Sequence, residues 1–280
     1  SLTTADLAET LNGGQAFRWQ PRETPEGLVW HGVWADNCAE VRLRGDGRLC
    51  WRAPVESPTG PAAMADYFDA GRDYAAVRDA LPWRSDPVIA GALARWPGLR
   101  ILRQPLGETL LCFLCSSTKQ IPQIQAGCER MAEHLGEPIT GGVHALPTWA
   151  RLAEAGEEAL RACGLGYRAR YIAASAEVLA EQPEFLNTAA SLPYPQARER
   201  LCVLPGVGAK IADCTLLFGA GQLEAFPVDT WILQALADSY GLQGWKPDQL
   251  ARFGRVHFGA GAGLAQQVLF SARRGQRATP

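Results

Sequence analysis

The chain has 280 residues, 47% hydrophobic and 20% charged, with a formal net charge of −2. That composition fits one large globular domain or two modest ones and excludes a largely disordered or fibrous chain. The most apolar stretches, residues 110–115 and 214–221, fall far short of the ~20 residues that cross a bilayer, and the opening SLTTADLAET has no basic cluster ahead of an apolar run, so neither a membrane span nor a secretory leader is expected and the expected location is the cytoplasm.

Strand-like alternation runs over residues 15–19, 28–34, 38–43 and 48–52, broken at Pro25 and Gly27, at Asp36 and Asn37, and across residues 45–47. These segments predict a small antiparallel sheet. Beyond a Pro/Gly-rich connector at 54–61 the spacing turns helical, at 64–68, 74–81, 87–96 and 108–115, then at 122–135, 148–154, 157–163, 169–181 and 194–203, with shorter punctuated segments after them. Cys112 and Cys115 form a CxxC inside an apolar run, but no second pair or close histidine completes a four-ligand zinc set, so both are read as core thiols. The expected class is α+β: an N-terminal antiparallel β domain at 1–80 and a larger all-helical body at 81–280.

Residues 198–219, RERLCVLPGVGAKIADCTLLFG, carry the strongest signal. Pro205, Gly206 and Gly208 enforce a tight turn between two helical patterns, giving a helix-hairpin-helix at 195–219. The second helix starts near Ala209 with free N–H groups facing the turn, which suits a phosphate, although an ordinary helix connection satisfies this segment equally well. Only three of the 27 basic residues are lysines, Lys119, Lys210 and Lys246. Lys210 falls in the first turn of that second helix, where the dipole works against a positive charge. An amine there can act as a nucleophile and form a Schiff base, which arginine cannot. Cys214, four residues on, shares its face. Asp229 precedes a further helical pattern as its N-cap, and a carboxylate held there by backbone donors can also steady positive charge on a sugar ring. In the last segment Gln266 and Phe270 lie opposite the stripe of Leu264, Ala265, Val268, Leu269 and Ala272. From 251 onward Arg252, Arg255, Arg273, Arg274 and Arg277 meet no acid in the same stretch, a pattern read as a solvated face or a phosphate contact.

LPGVGAKIADC followed by PVD, with GGQAFRW at 13–19, LLCFLCSS at 110–117, GLGYRARY at 164–171 and AQQVLFSA at 265–272, resembles the helix-hairpin-helix DNA glycosylases and, within them, the 8-oxoguanine DNA glycosylases. The resemblance implies a bifunctional DNA glycosylase and AP lyase. Lys210 would displace the damaged base at C1′ and form a Schiff base, from which β-elimination nicks the strand, and Asp229 would steady the departing charge. The lesion would be flipped out of the duplex, sandwiched by Cys214 and Phe270, read on its Watson–Crick edge by Gln266, and distinguished from guanine by the Gly14 carbonyl, which accepts the N7 hydrogen. Tyr167 would wedge into the stack, Arg168 would meet the orphaned base, and Gly206 and Gly208 would offer amides to phosphate. Carbonyls of Cys202, Leu204 and Val207 would hold a structural cation. Where eukaryotic members carry an asparagine run and an arginine, this chain has Thr118, Lys119, Gln120 and Gln123, and Trp231 replaces a histidine, which points to a bacterial-type member with a flatter opposite-base preference. The resemblance further implies catalysis without a cofactor, double-stranded DNA containing 8-oxoguanine as the partner, and a monomer acting at the nucleoid. The last cysteine is Cys214, so a four-cysteine iron–sulfur cluster downstream is excluded. The alternatives are a non-catalytic helix-hairpin-helix DNA-binding module, which needs the hairpin glycines but neither Lys210 nor Asp229, and a same-fold glycosylase for another damaged base.

Overall fold

The computed structural model describes residues 2–25 and 27–277, the last two without their side chains. The chain opens on a helix, α1 (Thr4–Asn12), that strand periodicity did not predict. Its start is a reciprocal capping box: Thr3 Oγ1 accepts the Asp6 amide at 3.1 Å, and Asp6 accepts the Thr3 amide at 2.9 Å. Leu7 and Leu11, one turn apart, are buried. Four strands follow, β1 (Trp19–Thr24), β2 (Gly27–Trp34), β3 (Asn37–Leu43) and β4 (Leu49–Arg52), in an antiparallel sheet of order β1-β2-β3-β4. Three of the expected strands are present; the one expected at 15–19 is displaced to begin at Trp19. Residues 15–18 leave the pleat because Gln15 is spent on the connector at 100–104. It donates to the Arg100 carbonyl at 2.8 Å, accepts from the Leu102 amide at 2.8 Å, and its own carbonyl accepts from Gln104. Pro21 sits on β1, an edge strand, where a missing N–H costs no ladder bond.

The helices are α2 (Pro61–Tyr67), α3 (Tyr74–Asp79), α4 (Pro87–Arg95), α5 (Leu106–Leu114) and α6 (Ile121–Leu135), then, beyond a short hairpin β5 (Pro138–Ile139) and β6 (Val143–His144), α7 (Trp149–Ala162), α8 (Arg168–Glu181), α9 (Phe185–Ser191) and α10 (Tyr194–Leu201). Gly156 adopts φ 71° inside α7, so the two helices expected there run end to end across a kink. The chain closes with α11 (Ala209–Phe218), α12 (Thr230–Tyr240), α13 (Pro247–Phe258) and α14 (Ala262–Arg277), the last three being full helices rather than the short segments the glycines suggested.

Burial divides into two clusters. The smaller joins α1, the sheet and α2 through Leu7, Leu11, Trp19, Trp30, Trp34, Val41, Tyr67 and Phe68, with Leu102 from the connector. Trp19 stacks on Trp34 at 5.8 Å and donates to the Tyr67 hydroxyl at 2.9 Å, so its one polar atom is satisfied. The larger is the helical core, wrapped around α5 and α11 and including Cys112, Cys115, Leu216 and Leu217. Phe17, from the segment entering the sheet, belongs to this second cluster, and Ala35, at the β2–β3 turn, donates its amide to Glu108 at the start of α5 at 2.9 Å. Sheet and helices therefore meet beside α5.

Candidate functional site

The hairpin between α10 and α11 is built around one glycine. Gly206 has φ 79°, and a Cβ there would lie 2.6 Å from Cβ of Tyr171 on α8, so only glycine lets the turn close on that helix. Leu204 and Val207 are buried on either side, and Ser175 donates to the Pro205 carbonyl at 2.8 Å. Gly206 and Gly208 are exposed, and Gly208 is the N-cap of α11 with open space where a side chain would stand. The hairpin thus turns amides outward at the positive end of a helix.

In the first turn of α11, Lys210 faces a cavity of about 770 Å³ bounded by Gly14, Phe113, Cys214, Asp229, Gln266 and Phe270, among others. That volume suits a small-molecule-sized guest. The Lys210 amine donates to Ser116 Oγ at 2.8 Å and lies 5.0 Å from the centre of the Phe113 ring. Asp229 caps α12 as expected: its Oδ1 accepts the Trp231 and Ile232 amides at 3.0 and 2.9 Å. Burial pushes the Asp229 carboxyl above the usual range, while the Ile232 amide, the Lys210 charge and the Trp231 amide pull it back. The cap amides therefore pull the carboxyl down without fully offsetting burial. Burial pushes the Cys214 thiol up to about 12, with Lys210 opposing, so it is a neutral wall.

The ends of the chain supply the far side. Gly14, at φ 95°, lies against Phe270, 3.5 Å from where a Cβ would stand. Phe270 is buried yet lines the cavity, beside Gln266 one turn earlier on α14. Gln266 is 4% exposed and its Oε1 has no hydrogen-bond partner among the described residues. Such an atom, buried at a cavity wall, calls for a donor on a guest. Gln234 on α12 presents a second unpartnered oxygen there.

Other expected positions divide. Tyr167, 48% exposed, caps α8 and projects from the surface. Arg168 is placed otherwise than expected: it is 5% exposed, donating to the carbonyls of Ser117 at 2.9 Å and Leu165 at 3.2 Å and to Thr118 Oγ1 at 2.8 Å. Three local acceptors in one place draw the guanidinium inward, where it braces the 116–120 loop. Gln120 and Gln123 are exposed at the start of α6, where Gln123 Oε1 accepts the Gln120 amide at 3.1 Å, and Trp231 lines the cavity mouth. The basic run near the carboxyl end is partly neutralised by acids from elsewhere, Arg273 by Asp238 and Arg274 by Glu9, each at 2.5 Å. Arg277's side chain lies outside the described residues. Among them no group of three or more His, Cys, Asp or Glu could hold a metal ion, and no helix is long and apolar enough to cross a membrane. Ser116, Phe113, Gln234 and Gln267 are cavity residues the sequence reading missed. The only signal for Ser116 is that it is the first polar residue after the run 110–115.

Fold and site together define a helix-hairpin-helix protein whose nucleophile candidate rises from the hairpin itself. Known proteins carry the same two-part pattern. Residues 1–110 match the model of the 8-oxoguanine DNA glycosylase N-terminal domain, and residues 112–256 match that of the HhH-GPD superfamily base excision DNA repair proteins. The chain belongs to the HhH-GPD superfamily. It is 31% identical to the N-glycosylase/DNA lyase OGG1 of Arabidopsis thaliana over 96% of this chain and 78% of that one. Among solved structures it is similar to the 8-oxoguanine glycosylase/lyase of Clostridium acetobutylicum, in complex with double-stranded DNA containing cytosine opposite 8-oxoguanine, at TM-score 0.88 and 30% identity over 97% of this chain and 92% of that one. MBOgg1, in complex with a low-affinity DNA ligand, matches at TM-score 0.87 and 31% identity over 99% and 93%. A 3-methyladenine DNA glycosylase from Archaeoglobus fulgidus, 18% identical at TM-score 0.72 over 88% and 87%, shares the fold.

Proposed function

We propose that this chain is a bifunctional DNA glycosylase and AP lyase that excises 8-oxoguanine from duplex DNA, acting as a monomer in the cytoplasm on nucleoid DNA. The observation that carries the reading is that Lys210 and Asp229, whose charges interact, line one cavity of about 770 Å³, a volume that admits a flipped base. The hairpin amides of Gly206 and Gly208 take phosphate, and Tyr167 fills the gap the base leaves. Cys214 and Phe270 enclose the base, the free Gln266 oxygen reads its edge, and the Gly14 carbonyl accepts the N7 hydrogen. Gln120, Gln123 and Trp231 border the DNA at the mouth. The β domain at 1–80 supplies Gly14, and the helical body at 81–280 supplies the rest.

In the reaction the Nζ lone pair bonds to C1′ as the C1′–N9 bond breaks. The electron pair leaves with N9, which gains a proton, and the amine loses one. Ionised Asp229 offsets the positive charge that develops on the sugar. Opening the ring at O4′ leaves a Schiff base, and loss of a C2′ proton expels the 3′ phosphate. No cofactor enters these steps. A hard cation at the hairpin turn would be held by the neutral backbone oxygens of Cys202, Leu204 and Val207, of which Leu204's already accepts the Val207 amide at 3.1 Å and keeps a second lone pair.

The test is Lys210→Gln. Base release from an 8-oxoguanine duplex is expected to vanish while binding stays within about tenfold, since a single phosphate-proximal charge is lost. Borohydride is expected to trap the wild-type protein on DNA and not the variant. Undiminished trapping by the variant, or binding without excision by the wild type, refutes the reading; the second result is that of a DNA-binding module.

A further inference from the structure

We propose that Ser116 is a positioning residue for the Lys210 amine, an inference that rests on the proposed glycosylase reading. A serine hydroxyl has one hydrogen. At Ser116 that hydrogen is committed, because Oγ donates to the Phe113 carbonyl at 2.7 Å, and the Ser116 amide donates to the same carbonyl at 3.0 Å. Only oxygen lone pairs remain to face Lys210, whose amine approaches at 2.8 Å. Toward the amine, then, Ser116 is an acceptor. Beneath the amine lies the Phe113 ring, 5.0 Å away, and that ring is itself fixed, stacked on Phe218 at 5.6 Å and met edge-on by Phe17 at 5.3 Å.

The consequence concerns the direction of a lone pair. A neutral amine has two N–H bonds and one lone pair on tetrahedral nitrogen. With one N–H held by Ser116 and the ring closing off the side beneath, the lone pair is turned away from α5 and into the cavity where C1′ must lie. The lysine stem has four rotatable bonds, and without the hydroxyl its end samples orientations that cannot attack. Ser116 touches no reacting atom; it acts through Lys210. The loop carrying it is held from behind by the buried Arg168 on the Ser117 carbonyl, so the acceptor is itself anchored.

Single-turnover excision by wild type, Ser116→Ala and Ser116→Thr tests this, with affinity for a non-cleavable lesion duplex and thermal unfolding measured beside it. Ser116→Ala is expected to slow excision and borohydride trapping together by about 10- to 100-fold, as a misdirected reactant does, with affinity within about twofold and Tm within about 2 °C of wild type. Ser116→Thr, which keeps the hydroxyl, is expected to restore excision to within about threefold. Excision by Ser116→Ala at the wild-type rate overturns the inference, and so does a Thr variant as slow as the Ala variant. A parallel fall of affinity, Tm and rate in Ser116→Ala also overturns it, because that is the signature of a structural serine. Absence of excision by the wild-type protein overturns the proposed function and this inference together, whereas the other outcomes leave the function standing.

Discussion

Replacing Glu108 by glutamine is expected to stabilise the protein at neutral and alkaline pH and to do so less in acid. Glu108 stands in the first turn of α5, the helix whose far end carries Phe113 beside Lys210, and it accepts the Ala35 amide from the sheet at 2.9 Å. Burial raises its carboxyl from the ordinary 4.5 to about 7, against the opposing pull of the Ala35 amide and of Arg18. An acid with a raised folded pKa is bound to its proton more often folded than unfolded, so stability falls as pH climbs through the interval between the two values. Below pH ~4.5 both states are protonated and the wild type has no such penalty. Above pH ~7 both are ionised and the penalty is complete, about 3 kcal/mol for the difference between the two values. Glutamine keeps an acceptor for Ala35 and carries no charge. Urea unfolding of both proteins at pH 5 and pH 8 is the assay: the advantage of Glu108→Gln is expected to grow by about 2–3 kcal/mol between the two. A difference that does not change with pH refutes the reasoning, and so does a wild type that gains on the variant at pH 8, which would mean that Arg18 wins over burial.

Gly206→Ala is expected to cost about 2–4 kcal/mol in urea unfolding, because it forces a positive φ and drives a methyl against Tyr171, while Gly208→Ala stays within about 1 kcal/mol; equal costs would mean the turn relaxes freely. Since burial raises Asp229, its charge is lost on acidification sooner than that of an ordinary aspartate, so the excision rate is expected to fall on the acid side at a pH above the usual carboxylate range. Asp229→Asn should remove that limb and slow excision by about 100-fold; a limb unchanged in the variant assigns it to another group. Gln123→Arg is expected to raise the preference for cytosine opposite the lesion by about tenfold, the value of one added base contact. An opposite-base profile unaltered by the arginine, measured in single-turnover excision against all four bases, shows that position 123 reads no base.

Much of the site was legible because its chemistry is local in sequence. Pro205, Gly206 and Gly208 announce the hairpin, Lys210 falls in the first turn of the helix that follows, and Asp229 declares itself by the helix it caps. The first strand was misplaced, since the alternation after residue 14 comes from side chains serving a cavity and a connector rather than from a pleat. Gln15 is the clearest instance, its alternating position explained by bonds to 100 and 102. Arg168 was given to the orphaned base by the resemblance, yet its surroundings are acceptors from Leu165 and from a loop about 50 residues away, Ser117 and Thr118, and no periodicity encodes them. Ser116 was hidden for the same reason: its meaning depends on Lys210, 94 residues on.

The side of the cavity made by Gly14 and Phe270 joins the two extremes of the polypeptide. Gln267 reaches the Gly13 carbonyl at 3.4 Å across 254 residues, and Arg274 meets Glu9 in an ion pair beside it. The amine and the hairpin, by contrast, arise within one short stretch, from α10 to α11. Closing so long a loop carries an entropic cost that the hairpin turn itself does not bear. On the proposed function, the group for chemistry and the wall for selectivity are therefore joined by contacts of very different sequence separation. On that same reading, a molecule whose first and last helices have come undocked would keep Lys210 on the hairpin while losing the Gly14–Phe270 wall proposed to tell a damaged base from a sound one, which would make that seam a safety catch.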